Sequence, residues 1–80
     1  MNRGLVVYSL AGHDKGNFQV VINADEKFAL VCDGKSRPIE RPKKKNIIHL
    51  KTTKMSVDEK CLESNKSLRL SLRNLVKGLK

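Results

Sequence analysis

Between residues 5 and 50 the apolar positions fall in short runs, each closed by polar turn residues. Leu5, Val6, Val7, Tyr8, Ser9 and Leu10 form one run, and Phe18, Gln19, Val20, Val21 and Ile22 form the next. Between them lies the polar loop 11–16, with glycine near its start and at its end, a pattern that predicts a β-hairpin. Ala24, Asp25, Glu26 and Lys27 make a polar turn before a third strand over Phe28, Ala29, Leu30, Val31 and Cys32. Asp33-Gly34 is a tight-turn dipeptide that closes that strand. Residues 36–39 read as a short extended piece, where Pro38 suits an edge strand. Residues 41–46 then read as a basic loop around Pro42, and residues 47–50 as the last strand.

From Ser56 the period changes. Ser56 and Glu59 have the spacing of a capping box, predicting a short helix over 57–64 with Cys61 and Leu62 inward. Leu68, Leu72, Leu75, Val76 and Leu79 share one face of a second helix, capped by Ser67 and fraying at Gly78. Arg69, Arg73, Lys77 and Lys80 share its opposite side, a cationic face that can add phosphate contacts, while the apolar face docks on the barrel or on a neighbouring protein. The division is a mainly β domain over 1–54, a small five-stranded antiparallel barrel, with a helical appendage over 55–80.

Eighty residues allow one small core, and with only Tyr8, Phe18 and Phe28 as aromatics it must rest on Val, Ile and Leu. A compact binding module is easier to build from this material than an enzyme with a deep cavity. No nucleophile–base pair, metal-ligand spacing or nucleotide-binding Gly-Lys-Ser loop is present, so neither catalysis nor a cofactor is expected. Cys32 and Cys61 are far apart and unaccompanied by paired histidines, which points to two free thiols in a reducing compartment.

Charge narrows the partners. Seventeen Lys and Arg face eight Asp and Glu, a net charge of +9 that attracts polyanions. No apolar run approaches membrane-spanning length and no signal-peptide core is present, so a cytoplasmic protein without a membrane partner is expected. The densest cationic segment is Arg41, Lys43, Lys44 and Lys45, suited to clamping phosphates, with Lys35 and Arg37 extending the same surface. In the 11–16 loop, Lys15 supplies charge while backbone N–H groups near Gly12 and Gly16 approach a phosphate. His13 has two readings, a base or phosphate contact or a solvated loop residue. Asp14 is expected to bond the loop's own backbone, as Asx turns do. His49 reads first as a surface strand residue and second as an RNA contact, and Phe18 and Phe28 read as core.

The order Val6-Val7-x-Ser9-x-Ala11-Gly12-x-Asp14-Lys15-Gly16, followed by Val20-Val21, resembles the KOW motif, with Gly16 at the motif's fixed glycine. Leu30-Val31-x-Asp33-Gly34, Glu40-x-Pro42-Lys43-Lys44-Lys45 and Ile48-His49-Leu50 continue the resemblance over about residues 3–52. The chain is thus similar to small bacterial KOW-domain RNA-binding proteins, relatives of the KOW ribosomal proteins of archaeal and eukaryotic large subunits. That resemblance implies an SH3-like barrel and binding to structured RNA, most often ribosomal RNA. The expected site is Gly12, His13, Lys15, Gly16, Lys35, Arg37, Arg41, Lys43, Lys44 and Lys45. The alternative is a protein–protein adaptor that docks on a translation or transcription complex through the barrel or the helical tail's apolar face.

Overall fold

The computed structural model describes residues 1–77; Gly78, Leu79 and Lys80, assigned above to the helix end, lie outside the described residues. Five strands form one antiparallel sheet: β1 (Leu5–Ser9), β2 (Phe18–Ala24), β3 (Phe28–Cys32), β4 (Lys43–Asn46) and β5 (Leu50–Ser56). Their order is β4-β3-β2-β1-β5, and helix α1 (Asn65–Lys77) follows. The mainly β class with a C-terminal helix is as the sequence predicts. The closed barrel is not: β4 and β5 stand at opposite edges of the sheet and do not pair.

Successive side chains of a strand point to opposite faces, and here both faces are buried. Val6, Val20 and Cys32 face the C-terminal segment, where Leu62, ahead of α1, and Leu68 and Leu72 on α1 cover them. Val7, Val21 and Val31 face the other way, against Ala29 and Leu50. This double burial is why the strands read as continuous apolar runs. Irregularities in register between Leu5 and Val7 and between Val21 and Asn23 bend the sheet over the second core.

Several boundaries differ from expectation. Residues 36–39 are not a strand. Asp33 and Gly34 donate their N–H groups to the Arg37 carbonyl, and the Asp33 carboxylate accepts from the Lys35 and Arg37 N–H groups. Pro38 has no N–H, and that of Ile39 goes to the Asn65 side chain, so no ladder remains to be made. The segment expected as a basic loop supplies β4 instead, with Lys43, Lys44 and Lys45 opposite Val31, Leu30 and Ala29. Ile47–His49 is a 3-10 turn capped by the Asn46 side chain, not a strand, and the last strand runs on through Ser56. The 1–54 boundary therefore cuts β5.

The expected helix over 57–64 shrinks to a 3-10 turn, Glu59–Leu62, with Asp58 at its N-cap position and Ser56 still in β5. α1 begins at Asn65, ahead of Ser67, and the Ser64 hydroxyl accepts the Ser67 N–H. Leu68 is wholly buried, so the tail is part of the core and not an appendage. Gly34 fixes its entry. The glycine has φ +78°, and a Cβ there would lie 3.1 Å from the Arg69 nitrogen and closer still to the Asn65 carbonyl.

Candidate nucleic-acid interface

The 11–16 loop is shaped mainly by its own backbone. Gly16 N–H donates to the Ser9 carbonyl (2.9 Å), Lys15 N–H to Gly12 (3.2 Å) and Asn17 N–H to Asp14 (2.9 Å). Gly12 and Gly16 both take positive φ, as the sequence implies. The donors near Gly16 are therefore committed internally, which corrects the expectation that they face a phosphate. The N–H groups of Gly12 and His13 have no acceptor among the described residues.

Asp14 turns inward. Its carboxylate lies 3.1 Å from Arg37 Nε and 3.7 Å from Lys45 Nζ. The Lys45 ammonium, almost as buried, also donates to the Ser9 hydroxyl and to the Ala11 carbonyl (3.1 Å). Burial pushes the Asp14 carboxyl up, but the Arg37 hydrogen bond and the charges of Arg37 and Lys45 outweigh it and hold it below its ordinary value. Gln19 is close enough to act on the same carboxylate, yet neither of its buried amide atoms has a hydrogen-bond partner among the described residues. The Asx turn expected at Asp14 occurs at Asp25, which accepts from Lys27 and Phe28 N–H, and at Asp33. Asp14 is structural, but as an ion-pair centre.

Around this centre the predicted residues divide. Gly12, His13, Lys43 and Lys44 line one recess together with Asn46 and His49. Lys45 lines it too, with its charge directed to Asp14 and Ser9, so it is removed as a phosphate clamp. Lys44 is exposed, its ammonium 4.4 Å from the centroid of Phe28, which is half-buried at the surface and not core. Phe18 is also half-buried and meets Tyr8 edge-on at 5.0 Å.

Gly16 and Lys35 line a different recess, against α1. Lys15 and Arg41 are exposed and line neither, while Arg37 is paired with Asp14. His49 joins the first recess because the 3-10 turn after β4 places it beside the loop, where its carbonyl accepts the Leu10 N–H. Its flanking Ile48 and Leu50 suggested a surface strand residue first and an RNA contact only second, and the 3-10 turn is what brings it to the recess.

The apolar face of α1 covers the sheet through Leu68 and Leu72, with Leu75 packed beside them. No helix among the described residues is long and apolar enough to cross a membrane. Compared with known families and with curated proteins, the chain matches no family model and no curated sequence.

Proposed function

We propose that this chain is a cytoplasmic RNA-binding protein of KOW type that acts without catalysis and binds structured ribosomal RNA. The recess between the 11–16 loop and β4 carries the reading. There Lys43, Lys44 and two histidines line one recess with Gly12, and the N–H groups of Gly12 and His13 have no acceptor among the described residues. The one acid lining it, Asp14, is already neutralised by Lys45 and Arg37. Such a surface attracts phosphate oxygens and presents no open carboxylate to repel them. Lys15 and Arg41, exposed outside the recess, add to the long-range attraction. The adaptor reading draws less support, because Leu72 of its helical surface is buried against the sheet.

The test is affinity for a structured ribosomal RNA fragment across a range of salt concentrations. The wild type should weaken steeply with salt, and K43Q/K44Q should bind less tightly with a logarithmic salt slope shallower by about 2. A salt-independent affinity, or a K43Q/K44Q variant that binds like wild type, would refute the reading.

A further inference from the structure

A second cationic recess lies between the turn after β3 and α1. Lys35 on the turn and Arg69 and Arg73 on α1 line it, with Gly16 and Phe18 at its edge. The three cations are exposed, and none joins an ion pair among the described residues. Its one acid, Asp33, is engaged by backbone donors: its carboxylate accepts from Lys35 and Arg37 N–H at 2.8 and 2.9 Å. The recess thus sets three cations against one carboxylate, a net positive surface.

The two recesses are held in one frame. Gly34 sits against the first turns of α1, and Asn65 bonds both the Ile39 N–H and the Glu40 carboxylate. From the same turn, Arg37 reaches Asp14 in the 11–16 loop, and Asp14 in turn meets Lys45 on β4. That loop contributes Gly12 and His13 to one recess and Gly16 to the other. One loop thus contributes to both cationic recesses, so a single bound RNA can reach both.

We propose that the turn–helix recess is a second phosphate-binding surface, and that the 11–16 loop lies between the two strands of one RNA helix, one strand in each recess. This rests on the RNA-binding reading above and adds Arg69 and Arg73 to the contact set. Recognition is then by duplex shape and phosphates, the usual mode for paired RNA. Phe18 is half-buried and meets Tyr8 edge-on.

The experiment titrates the full chain against a fluorescent RNA hairpin and an unpaired RNA of equal length, at several salt concentrations. Three variants are compared: R69Q/R73Q, K43Q/K44Q, and K51Q/K54Q, whose exposed β5 lysines line neither recess. All six side chains lie outside the buried core, and circular dichroism verifies folding. R69Q/R73Q should weaken hairpin binding beyond the K51Q/K54Q control and flatten the salt slope by roughly 2. Its binding to unpaired RNA should match that control. Hairpin binding equal to the control overturns the second surface, and a K43Q/K44Q loss would then leave the first reading standing. Equal losses on both RNAs overturn the two-strand arrangement. Absence of any hairpin affinity in the wild type overturns both readings.

Discussion

The two faces of the sheet are buried by different means. The face of Val6, Val20 and Cys32 is covered from outside by α1 and the Glu59–Leu62 turn, through Leu62, Leu68 and Leu72. The face of Val7, Val21 and Val31 is covered by the bent sheet itself. At its open end, where the 11–16 loop crosses, lie the buried polar residues Ser9, Asp14, Gln19 and Lys45. One core is therefore closed by a separate element, the other by a polar cluster that also supports the candidate interface. The first contributes burial; the second ties loop, β4 and turn in fixed positions at a desolvation cost.

The sharpest way to break this comparison is to cut the helix-covered core. Leu68 is wholly buried among Val6, Val20 and Cys32, so Leu68→Ala should lower unfolding free energy by about 3 kcal/mol in urea titrations. In a chain this small, that is a large share of total stability. A near-zero cost would mean that α1 is an accessory after all and that the sheet stands alone.

The polar end should respond less strongly and with a pH signature. Asp14→Asn removes the charge that Lys45 and Arg37 share and should cost about 2 kcal/mol at neutral pH, since Lys45 keeps Ser9 and Ala11 as acceptors. Because the folded-state carboxyl is held below its ordinary 3.8, its contribution is complete above that value. It is lost as pH falls through the folded pKa. The stability gap between wild type and Asp14→Asn should therefore be widest at neutral pH and close in acid. A gap that persists when both side chains are neutral would assign the cost to packing and not to the ion pair.

The two faces also differ in how legible they were. The apolar runs over 5–10, 18–22 and 28–32 marked three strands because Val6, Val7, Val20, Val21, Ala29, Val31 and Cys32 within them are core. The Leu68–Leu72–Leu75 spacing marked α1 for the same reason. β4 was hidden because Lys43, Lys44 and Lys45 look alike in sequence, yet the strand's alternation turns Lys44 outward and Lys45 inward. A buried lysine is rare without a partner, and Asp14 is 31 positions away in sequence and meets it only in the fold. The capping-box spacing of Ser56 and Glu59 misled because local capping competes with a ladder that Ser56 makes opposite Leu5. Of the candidate site, the residue types were legible; their division between two recesses depends on β4 and α1, and no local pattern encodes it.

The smallest expected effect is also the one that resolves the faces from each other. Burial, with the charge of Asp33, pushes the Cys32 thiol up to about 11, whereas Cys61 is half-buried and accepts a hydrogen bond from the Ser71 hydroxyl. At pH 8 a thiol alkylator should modify native protein at Cys61, and Cys32 only when the structure opens. Cys32 belongs to the helix-covered core, so its labelling reports α1 lifting from the sheet. Leu68→Ala should speed Cys32 labelling beyond what its loss of global stability allows, by local opening of α1. Asp14→Asn should speed it only in proportion to global stability, because its lesion is at the other face. If both variants fall on the same line, the two faces open as one cooperative unit, and the difference between them is one of composition and not of stability.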